Sequence, residues 1–244
     1  KSLKIEGDEN LVLSSDTVAS WGTNWPGAAP LETFELGAGT INFNLNGKKD
    51  TLKEVKLGDG VKDIPDYFLS GCTKLETLEI GNGITKIGNR AFQQTNITSI
   101  AIPDSVKSIG AYAFIMCRHL TSIKANNLSD RAFYVEDDVL YEDYTENGQS
   151  GVALRFFPLA KWHGAYKIDS HVTAIGNNSM QQAEITSVTI PKNVRSINSF
   201  AFNSSEITSV TFEGTPSFGT EFETSIAGSG IFSNCTNLTK INNF

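Results

Sequence analysis

Three cysteines and three histidines are the side chains of this 244-residue chain best suited to nucleophilic or metal chemistry, and their spacing argues against both. Cys72, Cys117 and Cys235 each stand three residues before a leucine (Leu75, Leu120, Leu238), with Gln94, Gln182 and Ser204 reading as the same slot elsewhere. Metal-binding thiolates come in close pairs, which these are not. They read as small buried thiols at a turn. His119, His163 and His171 have no Ser or Cys elbow beside them, and an imidazole without an orienting partner is not a catalytic constellation. Solvated, structural roles are expected for all three. The carboxylates Glu136, Asp137, Asp138, Glu142, Asp143 and Glu146 lack the D-x-D-x-D-G spacing that wraps oxygens around Ca²⁺ and read as hairpin turns. No G-x-x-x-x-G-K-[ST], G-x-S-x-G or H-E-x-x-H occurs, and Gly58-Asp59-Gly60 and Gly81-Asn82-Gly83 read as turn glycines. No catalytic, cofactor or metal site is expected.

The elements that carry these residues repeat. In ITSIAIPDSVKSIGAYAFIMCRHL (97–120), Ile100 and Ile102 alternate with Ser99 and Ala101, the period-2 pattern of a strand with one buried face. Pro103 ends the strand, since it has no N–H to offer a ladder. Val106 and Ile109 turn the chain inward, Gly110 permits a tight turn, and Ala113-Phe114 drops an aromatic into the core from what reads as a short helical turn. The same order starts at Leu52, Leu75, Ile97 and Leu120, spaced 23, 22 and 23 residues, and again at His163, Ile185 and Ile207, spaced 22 and 22. Such a period marks a leucine-rich-repeat solenoid, whose coils bury their apolar faces only by stacking. Phe68, Phe92, Phe114, Met180, Phe202 and Phe232 form a column of large side chains. Cys72 and Cys117 lie two coils apart, roughly 10 Å at about 5 Å per strand, too far for a disulfide.

The fold class expected is α/β: a right-handed solenoid, mostly short parallel β-strands with short helical turns and one β-hairpin insertion. It reads as a single domain over 1–244. Residues 1–30 form an N-terminal cap or degenerate repeat, 31–125 are repeats, 126–162 a β-hairpin insertion, and 163–244 repeats with a C-terminal cap strand. Leu3 and Ile5 read as a degenerate strand, and Trp21 and Trp25 as cap packing more than a sugar platform. At 126–162 the period breaks: FYV (133–135), VLY (139–141) and VALRFF (152–157) read as strands joined by Asp137-Asp138 and TENGQSG. The final LTKINNF reads as a capping strand or the point where a longer protein was cut. A net charge of −7 and a pI near 5.0 argue against nucleic acid and anionic membranes. No apolar run approaches the ~20 residues of a membrane span, and no signal peptide opens the chain. Sequons such as Asn96-Ile97-Thr98 arise from the repeat's own residues.

The pattern L-x-x-L-x-I-P-x-x-V-x-x-I-G-x-x-A-F, with the aromatic FYVEDDVLY insertion, resembles the BspA-type leucine-rich repeats over roughly residues 31–241. That resemblance implies a secreted or cell-surface protein, in a family known from Bacteroides-like anaerobes and some parasitic protists. Some members are adhesins for host matrix proteins such as fibronectin, and the family has no catalytic residues to carry over. The degenerate first repeats and the 215–230 insertion depart from it.

Two regions offer themselves to a partner. Outward strand positions form a Ser/Thr face with charge towards the N-terminal half: Glu54 and Lys56, Thr77 and Glu79, Ser99 and Ala101, Ser122 and Lys124, Ser187 and Thr189, Ser209 and Thr211. A plain solvated sheet is the competing reading, since Thr also satisfies strand propensity. Tyr134, Tyr141, Tyr144 and Trp162 of the insertion are the aromatic candidates, against a mini-core beneath the hairpin. The expected function is a monomeric protein-binding or adhesion module. Its expected partner is a host or neighbouring-cell surface or matrix protein, and no cofactor is implied. A carbohydrate-binding surface protein and a spacer displaying another domain are the alternatives.

Overall fold

Parallel strands and turn-to-turn hydrogen bonds join successive coils in the computed structural model, which describes residues 2–14, 31–45, 50–125, 133–146, 148–218 and 230–243. Trp21, Trp25 and positions 219–229 lie outside the described residues. The described chain forms two compact units, Lys1–Leu120 with Lys124–Leu128, and Thr121–Ile123 with Ser129–Phe244.

In the first unit, β1 (Ser2–Ile5), β3 (Thr33–Asn42), β4 (Glu54–Val61) and β6 (Thr77–Ile80) run parallel as neighbours, with β2 (Val12–Ser14) along the end of β3. Register aligns Phe34, Val55 and Leu78 in one buried row. The degenerate Leu3–Ile5 stretch is thus a true strand, paired with Phe34 and Leu36. A second parallel ladder joins β5 (Asp63–Ile64), β7 (Lys86–Ile87) and β9 (Ser108–Ile109). In chain order β8 (Ser99–Ile102) falls between β7 and β9, and it stops at Pro103. Along the long strands coils approach so closely that a Cβ on Gly58 would meet the Gly37 carbonyl oxygen at 2.5 Å, and one on Gly81, just past β6, the Gly58 carbonyl carbon at 2.4 Å.

After β10 (Ser122–Ala125), the second unit opens with an antiparallel ribbon of β11 (Phe133–Glu136), β12 (Val139–Glu146) and β13 (Gln149–Phe156). Asp137 and Asp138 are both left-handed, φ 52° and 64°, as a two-residue hairpin loop requires. The ribbon is more than an appendage. Its last strand pairs parallel with β15 (Ala174–Ile175), which continues through β17 (Ser196–Ile197) to β19 (Ser217–Phe218). β13 therefore takes the place of the short second strand of the interrupted coil. The long strands β14 (Gly164–Lys167), β16 (Ile185–Ile190), β18 (Ser209–Phe212) and β20 (Lys240–Asn242) form the other parallel sheet.

The expected helical turns are absent: the described residues contain no helix, and the Ala-Phe segments are chains of hydrogen-bonded turns. Left-handed residues recur four apart, Arg90 and Gln94 (φ 52° and 57°), Tyr112 and Met116 (60° and 61°), Asn178 and Gln182 (54° and 63°). Alternate N–H groups leave the local backbone for the next coil: Arg90, Phe92 and Gln94 donate to the carbonyls of Ala111, Ala113 and Ile115 at 2.9–3.0 Å. Between them, Gln93 N–H closes a local turn onto the Arg90 carbonyl (3.2 Å). Arg90 and Gln94 are thus left-handed where the next coil supplies an acceptor for their N–H groups.

Inside, Phe68, Phe92 and Phe114 in one unit and Met180, Phe202 and Phe232 in the other are all buried. The Phe92 and Phe114 rings lie 5.5 Å apart, and Phe202 and Phe232 stack at 5.3 Å. Each unit also buries a set of small side chains at one repeat position, Cys72, Thr95 and Cys117 in the first and Ala183, Ser205 and Cys235 in the second. Gln94, Gln182 and Ser204 are therefore not the cysteine slot: they are left-handed like Gly71 and Met116, one position earlier. Coils with Thr95 or Ser205 reach the next strand one residue sooner, which displaces a count taken from the following Leu or Ile. The thiols are free and donate to backbone, Cys117 Sγ to the Phe92 carbonyl at 3.0 Å and Cys235 Sγ to that of Phe202 at 2.9 Å. Burial pushes Cys72 up to about 12 and Cys117 to about 11. Neither is a thiolate near neutral pH, so neither is a nucleophile.

Candidate functional site

On the outward side of the long strands, register sets polar residues in straight rows. In the first unit one row is Lys4, Glu35, Lys56 and Glu79, and the next is Thr33, Glu54 and Thr77. Lys4 Nζ contacts Glu35 at 2.9 Å and Glu6 at 3.2 Å; Lys56 Nζ contacts Glu54 at 3.1 Å and Glu79 at 3.3 Å. Hydrogen bonds and charge from these carboxylates raise both ammonium groups above the usual lysine range. Glu79 and Ser99 are exposed. In the second unit the rows are Ala165, Ser187, Ser209, Lys240 and Lys167, Thr189, Thr211, Asn242. Asn242 Nδ2 donates to Thr211 Oγ1 (3.0 Å), and Lys167 bridges to Glu213 (2.7 Å).

Ser122 is not an open contact residue. Its hydroxyl donates to Asp138 Oδ1 at 2.8 Å, beside the Ile123 N–H at 3.1 Å, while Lys161 Nζ binds Asp138 Oδ2 and the Asp137 carbonyl. Lys161 also lies 4.9 Å over the Trp162 ring. This carboxylate ties the ribbon's tip to the strand before it and the turn after it. Asp138→Ala should strand three donors and lower stability by about 1–3 kcal/mol. Hydrogen exchange of β11 and β12 should rise more than that of β16 and β18. Lys124, two residues on, is exposed.

Among the ribbon aromatics, Tyr141 is 2% exposed and is core, not contact surface. Tyr134, directly opposite, stacks on it at 5.4 Å, His171 packs edge-on at 4.9 Å, and the Tyr166 hydroxyl hydrogen-bonds with that of Tyr141. Burial pushes Tyr134 and Tyr166 up to about 12 and Tyr141 further still, so all three remain phenols. Tyr144 is half-buried with its hydroxyl 3.2 Å from Thr173 Oγ1; Trp162 is half-buried against Tyr166 at 5.5 Å. A mini-core beneath the ribbon thus takes Tyr141, and leaves parts of Tyr134, Tyr144 and Trp162 at the surface.

His171 has an orienting partner two residues upstream, a carboxylate and not a Ser or Cys elbow. Asp169 Oδ1 accepts both its backbone N–H (3.0 Å) and its ring Nδ1 (2.7 Å), an Asx turn that D-S-H at 169–171 encodes locally. His171 Nε2 is closed off from solvent without a hydrogen-bond partner. His163 pairs with Glu184 at 3.3 Å. Among the described residues no three His, Cys, Asp or Glu side chains converge as a metal site would need. On the turn side, Arg90 lies between Tyr67 and Tyr112, 5.8 and 5.2 Å from their ring centres. Next to it Asp66 accepts from Asn89 Nδ2 (3.1 Å) and from the Asn89 backbone N–H (2.8 Å), and these bonds, the side-chain one first, lower the Asp66 carboxyl below its ordinary value.

Asp169 is lowered in the same way, first by the His171 N–H. A carboxylate with a depressed folded pKa binds fewer protons folded than unfolded. Its contribution is present above about pH 4 and is lost as pH falls through the folded value. The urea midpoint should fall between about pH 5 and pH 2. Asp66→Asn and Asp169→Asn together should flatten that fall; an unchanged slope would show that neither bond matters.

A repeat of 22–23 residues, built as a parallel long strand, a second short strand and a ladder of turns, is the structure behind the matched family model, the BspA-type leucine-rich repeat region, found in six copies over residues 40–140 and 164–243. The chain belongs to the BspA-type leucine-rich-repeat family. Residues 1–39 lie outside the match, as does an internal stretch, 141–163, that falls on the ribbon's second half and the turn at Lys161–Trp162. Solved structures of similar fold include a leucine-rich repeat protein from Eubacterium ventriosum, with TM-score 0.63, 19% identity, and 98% of this chain and 73% of that chain covered. A leucine-rich cell surface protein from Faecalibacterium prausnitzii has TM-score 0.55, 22% identity and coverage of 88% and 73%. The pneumococcal vaccine antigen PcpA has TM-score 0.51, 13% identity and coverage of 99% and 74%. No curated protein sequence matches this chain. No described helix is long and apolar enough to cross a membrane.

Proposed function

We propose that this chain is a non-catalytic, secreted or cell-surface protein-binding module that docks a surface or matrix protein on its outward strand faces. The carrying observation is the register of those faces. Polar side chains stand in straight rows on parallel strands, held at fixed spacing by a core to which they contribute nothing. Such a surface is pre-ordered before a partner arrives, which reduces the side-chain ordering cost of association. Membership of the repeat family, and a similar fold described as a leucine-rich cell surface protein, support the surface setting. Half-exposed Tyr134, Tyr144 and Trp162 extend the contact region at the ribbon.

Binding of the purified chain to an array of matrix proteins and polysaccharides side by side tests the reading. A saturable signal on a matrix protein, weakened by Tyr144→Ala with Trp162→Ala, supports it and includes the ribbon. Signal confined to glycans would replace it with a carbohydrate-binding role, and silence on both with a spacer role.

A further inference from the structure

The outward strand face of the first unit is not merely polar: it has a definite sign. Two lysines of this face are each held by two glutamates, Lys4 by Glu6 and Glu35, and Lys56 by Glu54 and Glu79, while Lys53 at its edge pairs one-to-one with Glu32 at 3.4 Å. One ammonium against two carboxylates leaves each triad with a net charge of −1. The side chains of Glu35, Glu54 and Glu79 are 40%, 36% and 61% exposed. Lys4 and Lys56 are already engaged by two anions apiece and offer little to a third. The corresponding face of the second unit differs: its rows carry Lys167 and Lys240 among Ser, Thr, Ala and Asn.

We infer that the outward face of β3, β4 and β6 recognises a basic, arginine- or lysine-rich surface on the partner protein. Charge complementarity selects this occupant. Guanidinium forks and ammonium groups bring the donors that a row of carboxylate oxygens needs, and an acidic partner would meet like charge. This rests on the protein-binding reading above and adds the chemistry of the partner.

The test uses the whole chain with an arginine/lysine-rich peptide as the probe, and its glutamate-substituted counterpart as control, followed by fluorescence anisotropy at low salt. Glu35→Gln/Glu54→Gln/Glu79→Gln should weaken the basic peptide about tenfold, each exposed carboxylate contributing a factor of about 1.5–5. Glu184→Gln/Glu206→Gln/Asp143→Asn removes the same net charge from exposed positions elsewhere and should change binding less than about twofold. The acidic peptide should not bind, and salt near 0.5 M should remove most of the basic-peptide signal. Equal losses in the two triple variants would show attraction to net charge alone and overturn the inference. So would failure of the basic peptide to bind, or self-association of the chain that only the face variant abolishes. A matrix protein captured on the array equally by wild type and face variant overturns this inference and leaves the protein-binding reading standing.

Discussion

Phe202→Ala should lower the unfolding free energy by about 3–5 kcal/mol, as large aromatic truncations in a closed core do. The ring is fully buried, stacked at 5.3 Å on Phe232 and in line with Met180. A coil stabilises its neighbours through the faces it presents to them, so the loss is shared across two interfaces. Chemical denaturation should show the midpoint falling, with broadening if the stack then melts in stages. A change under about 1 kcal/mol would mean that the column does not hold the coils together.

Gly81→Ala should cost about 1–3 kcal/mol or more for one methyl group. Its Cβ would meet the Gly58 carbonyl carbon at 2.4 Å, the Asp59 nitrogen at 2.6 Å and the Gly58 oxygen at 2.7 Å, all of them backbone. Backbone in a neighbouring coil can give way only by pulling β4 away from β6. Gly71→Ala makes the matched control. A Cβ there meets nothing within 4 Å, and only the left-handed φ of 77° resists it, at about 1–2 kcal/mol. Thermal melts of the two variants should therefore separate, with Gly81→Ala the lower.

What the sequence reveals of this fold follows from what is local. Period-2 alternation marks the strands, the stop at Pro103 is chemical, and the Phe column repeats often enough to be counted. Three ribbon strands are legible too, although β12 runs to Glu146, beyond the VLY core that carries the pattern. The turns are not legible, because their left-handed positions are filled by Arg90, Gln94, Tyr112 and Met116 as well as by Gly71. Only the inter-coil ladder holds such residues there, and that ladder joins groups about 22 positions apart. The same distance hides the roles of Ser122, whose hydroxyl is taken up by Asp138, and of Tyr141, which Tyr166 and His171 help to cover. Among the contact candidates, Glu79, Ser99 and Lys124 stand exposed on their strands, and Thr189 and Thr211 occupy one outward row. Alternation alone predicts that much. The pairing of Lys56 with two glutamates needs the neighbouring strand.

Carboxyl and tyrosine footprinting of the chain, free and bound to the matrix protein captured on the array, tests the central claim most directly. The outward-face account predicts protection of Glu35, Glu54 and Glu79, with Asp66, Tyr67 and Tyr112 on the turn side labelled equally in both states. Protection of Asp66, Tyr67 and Tyr112 with the strand carboxylates unchanged would contradict it, and would put the binding surface on the ladder of turns.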